Sequence, residues 1–188
     1  MTPRHELQAE RLLLRPYRKG DWRDVLAYAS DEEWAFYSPM VPHPYTKADA
    51  EAWVEIAMST DWNLYPIFAV EWQGRVIGSV SLSIDISHGR ADLAFGVARE
   101  RWGIGLATEA VRTVLDWAFR ECNLGKVFAR TDQRNLRSWR LMERIGMRRE
   151  GVLLGHRIAR DGRQNEVIYG LLKDEWSSAT EVDDLVES

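Results

Sequence analysis

The sequence predicts an α/β (α+β) fold, a central twisted sheet of about seven strands flanked by about four helices. Three observations predict it. Period-two apolar runs recur along the chain, separated by turn signals at Gln73-Gly74, His88-Gly89 and Asp161-Gly162. Four other stretches repeat apolar residues at helical spacing, three of them behind a residue able to cap a helix start. A Gly-interrupted loop, Gly103-Ile104-Gly105, leads straight from a strand into the third of those helices.

Each element follows from local chemistry. Residues 10–17 are apolar and Arg-flanked, a first strand. Asp21-x-x-Asp24 caps a helix that puts Trp22, Val25, Leu26 and Ala29 on one face. Residues 35–45 carry three prolines and three aromatics, which excludes a long helix. Thr46-x-x-Asp49 then opens a helix through about Ser59, in the manner of a capping box. Residues 64–72 and 75–86 form a hairpin through Gln73-Gly74. In the strand 90–97, period two places Leu93, Phe95 and Val97 on one face and Asp92, Ala94 and Gly96 on the other, a face small enough to admit a ligand. The helix 104–120, its first turn at Gly103 or Ile104, buries Ala107, Ala110, Val111, Val114 and Ala118. Thr108, Glu109, Arg112, Thr113, Asp116 and Arg120 are its wet face. Residues 126–132 make the next strand. Asn135 starts a helix in which Ser138, Leu141, Met142 and Ile145 share a stripe, closed by Gly146. Residues 153–172, broken at Asp161-Gly162, close the fold as a hairpin.

The strand–loop–helix junction at 90–118 makes an anion site. A helix leaves about four N–H groups unpartnered at its start and carries roughly half a positive charge there, so a phosphate fits. Gly103 and Gly105 let a bulky anion approach the backbone. Two other Gly-rich loops fail here. A P-loop needs Gly-Lys-Ser/Thr, whereas Leu106, Ala107 and Thr108 follow Gly105. The dinucleotide fingerprint needs a small residue where Thr108 stands, and an opening βαβ unit.

Ala91-Asp92-Leu93-Ala94-Phe95-Gly96-Val97 and Arg101-Trp102-Gly103-Ile104-Gly105-Leu106-Ala107-Thr108-Glu109-Ala110 resemble the acetyl-CoA segment of GNAT N-acetyltransferases, in the branch of the ribosomal-protein N-terminal (Rim-type) enzymes. Glu10-Arg11-Leu12-Leu13-Leu14-Arg15-Pro16, Asn135-Leu136-Arg137-Ser138 and Arg144-Ile145-Gly146-Met147 extend the likeness over about 165 residues. Glu100 stands where the wider family has Gln or Arg, which removes one phosphate partner. The resemblance implies a mixed, mostly antiparallel sheet and a cofactor site at Phe95, Gly96, Val97, Ala98, Arg101, Trp102, Gly103, Ile104, Gly105, Leu106, Ala107, Thr108, Asn135 and Ser138. The pantetheine arm would lie beside the strand like an extra one, taking hydrogen bonds from the backbone around Phe95 to Ala98. It also implies an acceptor groove walled by the first two helices, with Phe36, Tyr37, Tyr45 and Trp53 either lining it or packing as core and lid. The partners implied are acetyl-CoA and an amine acceptor, a ribosomal or other protein N-terminus included, with no nucleic acid and no membrane. A homodimer is compatible.

Composition bounds the rest. A chain of 188 residues, 45% hydrophobic, suits one acetyltransferase domain over 1–172. Six acids against Lys173 give residues 173–188 a charge of −5, an acidic solvated tail, and leave the body at +1. No apolar run reaches the roughly 20 residues that span a bilayer, and the N-terminus lacks a signal peptide's apolar core, so a cytoplasmic protein is expected. The arginines are interleaved with acids and form no nucleic-acid stripe. Cys122 is alone, a packed thiol. The four histidines and Cys122 show no zinc spacing, and no metal is expected.

Acetyl transfer needs a neutral amine, a polarised thioester carbonyl and a proton for the leaving thiolate. A backbone N–H near Val97 can polarise the carbonyl. Asp92, where the family often has Glu, is the candidate base, working through water because its side chain is shorter; otherwise it pairs with an arginine across the hairpin. The family's usual Tyr acid is matched by Met142, so Ser138 inherits protonation of the thiolate, or else bonds a carbonyl one turn back. Asn135 binds the pantetheine amide or serves as an N-cap. The acceptor is a protein or peptide α-amine, or a small amine such as a polyamine, amino sugar or antibiotic if Asp31, Glu32 and Glu33 line the cleft. Binding of acyl-CoA without catalysis is the remaining alternative.

Overall fold

The computed structural model describes residues 4–38 and 40–176. Along the chain run β1 (Leu7–Gln8), β2 (Leu13–Pro16), α1 (Trp22–Ala29), α2 (Glu32–Phe36), α3 (Lys47–Ser59), β3 (Ile67–Trp72), β4 (Arg75–Asp85), β5 (Arg90–Val97), α4 (Leu106–Glu121), β6 (Lys126–Asp132), α5 (Leu136–Arg144), β7 (Arg148–Ala159) and β8 (Gly162–Leu172). The eight strands form one sheet in the order β1-β2-β3-β4-β5-β6-β8-β7. Every neighbouring pair is antiparallel except β5 and β6, which α4 joins as a crossover.

Both faces of the sheet are covered, which is why β3 buries four successive residues. Phe68 and Val70 belong to the core beneath α4 and α5, with Leu14, Leu82, Leu93, Val111, Leu115 and Met142. Ile67 and Ala69 face the other layer, with Tyr17, Val25, Tyr28, Ala50 and Val54 beneath α1 and α3. Gln73 and Gly74 both take positive φ, 51° and 76°, the conformation that a two-residue turn between β3 and β4 requires.

The structure corrects several element expectations. The first strand is shorter, because the chain folds back between β1 and β2 with Ala9 N–H donating to Leu12 O at 2.9 Å; this adds the eighth strand. Asp21 precedes α1 without capping it. Its carboxylate is held by the buried Arg15 guanidinium at 2.8 and 3.0 Å and by Arg18 N–H at 2.7 Å. The short helix α2 was not expected; Asp31 caps it, accepting Trp34 N–H at 2.9 Å. The box at Thr46 and Asp49 forms as read. Gly103 and Ile104 lie outside α4, which starts at Leu106 with Gly105 as its N-cap. In the expected tail, Lys173 to Trp176 lie against the domain and Trp176 is 4% exposed in the main core; residues 177–188 lie outside the described residues. Among the described residues no helix is long and apolar enough to cross a membrane.

Candidate active site

β5 and β6 stay paired for three residues, Arg90 to Asp92, and then part. Beyond them, among the described residues, one edge of β5 has no neighbouring strand from Leu93 to Val97. Ala98 N–H donates to Ile77 O on β4, while Gly89 O accepts from Gly125 and Lys126 at the start of β6. Backbone direction alternates along a strand, so Leu93, Phe95 and Val97 turn their N–H and C=O groups to the open edge, and Gly96 and Ala98 do not. Of the four residues expected to offer backbone bonds, Phe95 and Val97 turn theirs to the open edge, and Gly96 and Ala98 turn theirs to β4. Val97 O is capped by the Trp102 indole N–H at 2.9 Å, which leaves Val97 N–H as the donor there.

The loop below this edge holds Gly103 and Gly105 at φ 81° and 85°, a region a Cβ disfavours. Gly105 has no side chain to cap α4, and the first N–H returned to a backbone carbonyl is that of Glu109, to Gly105 O at 3.0 Å. Among the described residues the N–H groups of Leu106, Ala107 and Thr108 therefore have no partner at the positive end of a 16-residue helix. Arg11 braces the loop from outside through Ile104 O at 3.0 Å and Glu109 at 2.7 Å. The Arg101 guanidinium lies over the Trp72 ring, 4.7 Å from its centroid.

α5 begins opposite the parted strands. Asn135 accepts Ser138 N–H at 3.3 Å and donates to Thr131 Oγ1 at 3.2 Å, an N-cap in this structure. Ser30 and Thr113 return their hydroxyls to the carbonyl one turn back. The half-buried Ser138 hydroxyl makes no such bond among the described residues, and the Arg134 carbonyl one turn back from it accepts the Tyr37 hydroxyl at 3.4 Å. Met142 is fully buried in the main core, so that position cannot reach a substrate.

On the opposite face of β5, Asp92 is paired, but with Arg130 of β6 at 2.6 Å rather than with an arginine across the hairpin. Burial pushes its carboxyl up and Arg130 opposes that, with a net rise. Trp34 covers Gly96, at 3.4 Å from where a Cβ would stand. Beside it lies an open cavity of about 540 Å³, lined by Asp31, Glu32, Glu33, Phe36, Tyr37, Arg99 and Arg137. Arg99 bonds Asp31 at 2.7 Å and Glu33 at 3.5 Å, and Arg137 bonds Glu33 at 2.9 Å while stacking on Trp102. Tyr45 and Trp53 pack in the second core and do not line this cavity. Cys122 is half-buried with its thiol pushed up to about 11 by burial, far from nucleophilic. Among the described residues no group of His, Cys, Asp and Glu could hold a metal ion.

Arg99, Arg130 and Arg137 were not picked out from the sequence. For Arg130 a signal existed: period two along β6 places it on the same face as Phe128, which is paired in register with Asp92.

The Acetyltransferase (GNAT) domain profile matches residues 11–148. An uncharacterised N-acetyltransferase of Bacillus subtilis (strain 168), YnaD, is 27% identical over 173 residues, 91% of this chain and 99% of its own. The spermidine N(1)-acetyltransferase of Escherichia coli (strain K12) is 29% identical over 151 residues, 78% of this chain and 77% of its own. A crystal structure of a GNAT-family acetyltransferase from Bacillus anthracis superposes with a TM-score of 0.81 at 27% identity, covering 90% of this chain and 99% of that one. A strand parted from its neighbour, a glycine loop and a free helix start, inside a profile that spans more than half the sequence, place this chain in the GNAT family of N-acetyltransferases.

Proposed function

We infer that the protein moves an acetyl group from acetyl-CoA to a protein or peptide N-terminal α-amine, by direct attack in a ternary complex. The observation that carries this reading is the continuity of two unsatisfied backbone surfaces, the open edge of β5 and the free N–H groups of α4. A pantetheine amide suits the first and a diphosphate the second. Phe95, Val97 and the loop 103–108 would hold the coenzyme, with Asn135 and Ser138 across from them. Bound acetyl-CoA supplies an electrophilic thioester. Val97 N–H would polarise its carbonyl, Ser138 would give a proton to the sulfur, and Asp92, through water, would take one from the amine.

The weakness of that base favours an α-amine. At pH 7 an α-amine of pKa about 7.8 is roughly one-seventh neutral, whereas a lysine near 10.4 is neutral about once in 2,500 molecules. Deprotonation costs about 1 kcal/mol for the first and nearly 5 for the second. A carboxylate already held by Arg130 is poorly equipped for the larger task. The likeness of Asn135-Leu136-Arg137-Ser138 to the ribosomal branch points the same way.

The cavity favours a second reading. Its acids, Asp31, Glu32 and Glu33, exceed its arginines by one charge and would attract a small cationic amine, the acceptor class named for the spermidine-acetylating relative. Rates measured with acetyl-CoA on an N-terminal peptide amine, a lysine side-chain amine and a polyamine decide between them. The α-amine is expected to react fastest; a polyamine preference establishes the second reading, and a lysine preference overturns the first. Absence of free CoA with every amine would leave a binding protein.

A further inference from the structure

Arg137, Arg140 and Arg144 stand at i, i+3 and i+7 of α5, a spacing that puts them along one side of the helix. The two ends of the coenzyme loop each meet one of them. Arg137 lies 4.3 Å from the Trp102 ring centroid, and Arg144 Nη1 stands 3.5 Å from Thr108 Oγ1. Arg137 is committed to Glu33. Arg140 and Arg144 are exposed, and no carboxylate pairs with either among the described residues; Arg140 contacts the Trp139 ring and Arg144 contacts Thr108. Most of the chain's other arginines that flank the site are paired.

A guanidinium beside the first turn of α4 is on the wrong end of the helix, because the free N–H groups already make that end positive. An uncompensated cation there is unfavourable until an anion joins it. The diphosphate reading accounts for the helix start but not for two further positive charges one turn apart on α5. The direction of the coenzyme does. An acyl arm lying along the open edge of β5 toward Val97 and Ser138, near the start of α5, would leave the nucleotide on the other side of the loop, toward the end of α5 where Arg144 meets Thr108.

We propose that Arg144, assisted by Arg140, binds the 3′-phosphate of coenzyme A and makes this enzyme selective for the phosphorylated nucleotide. The inference rests on the acetyl-CoA reading of the site. A guanidinium fork matches a phosphate dianion, and neither arginine touches the reacting atoms.

Calorimetric titration with CoA and with 3′-dephospho-CoA tests it without any turnover. The unaltered protein is expected to bind CoA roughly tenfold more tightly than the dephospho form, a preference that shrinks as salt rises. Arg144→Gln combined with Arg140→Gln should abolish the preference and leave affinity for dephospho-CoA unchanged. Equal affinities in the unaltered protein overturn the proposal. So does a double variant that loses both ligands to the same extent, which would put the arginines on the diphosphate. Failure to bind either ligand overturns the acetyl-CoA reading itself.

Discussion

Asp92 Oδ2 receives two hydrogen bonds from Arg130, from Nη2 at 2.6 Å and from Nε at 3.1 Å, next to the point where β5 and β6 separate. Burial raises the Asp92 carboxyl and Arg130 draws it back, with burial the stronger. A base must be ionised to act, so kcat/KM should fall as pH drops through its pKa. Arg130→Leu removes the opposing charge and should move that acid limb to higher pH. Asp92→Asn should abolish the limb and lower kcat about a hundredfold, with affinity for CoA retained in a titration. An Asn variant at full rate would reduce Asp92 to a partner for Arg130. The same raised pKa acts on stability: the folded state favours the protonated form, so ionising Asp92 removes stability as pH rises from its unfolded toward its folded value.

Ser138→Ala tests the proton donor. The hydroxyl makes no protein hydrogen bond among the described residues, so its removal leaves no stranded partner and little change in stability is expected. We expect kcat to fall about tenfold or more while CoA affinity is retained. Met142→Tyr should not rescue the loss, because that side chain is buried among core residues. Unchanged kcat in Ser138→Ala would place the proton source elsewhere.

The parts of the fold legible in sequence were those decided locally. Thr46 and Asp49 cap each other within three residues, Gln73-Gly74 carries its turn in its own φ preferences, and Gly103-Ile104-Gly105 announces a nearby helix start. What escaped depended on partners distant in the chain. Asp21 reads as an N-cap until the buried guanidinium of Arg15 claims its carboxylate. Tyr45 and Trp53 read equally well as groove or core; they are partly buried and pack against the cluster that holds Tyr17 and Val25, a contact set by residues distant in the chain. The alternation of β5 predicts which side chains share a face, but which backbone groups are free depends on where β6 leaves it. That separation is a property of the sheet and appears in neither strand's sequence.

Gly78 and Gly96 should respond unequally to the same substitution. A Cβ on Gly78 would stand 2.1 Å from Gly96 O and 2.8 Å from Val97 Cα, both rigid backbone of the strand that lines the site. Gly78→Ala must therefore push β5 away from β4, costing about 1–3 kcal/mol and lowering CoA affinity as Val97 shifts. A Cβ on Gly96 meets the Trp34 ring at 3.4 Å, an ordinary contact. Gly96→Ala should cost under about 1 kcal/mol and act on the amine acceptor rather than on the coenzyme. Denaturant titrations and CoA binding for the two variants check this; equal effects would mean the strand pair is more compliant than its geometry indicates.

Trp176 ties the last of the described residues to α4, the helix that begins after the glycine loop. Its ring is 4% exposed, sits 6.3 Å from that of Phe119 and donates its indole N–H to Asp116 at 3.4 Å, all on α4. Trp176→Ala should destabilise by about 3 kcal/mol or more in urea unfolding. Trp176→Phe keeps most of the apolar area and forfeits the Asp116 bond, so its loss should be clearly smaller. A chain ending at Leu172 should resemble the Ala variant, since it removes the same ring. Because α4 can present its free N–H groups to an anion only while it is packed, saturating CoA should recover part of the lost stability in each variant; a shortened chain as stable as the original would mean that the domain does end at 172.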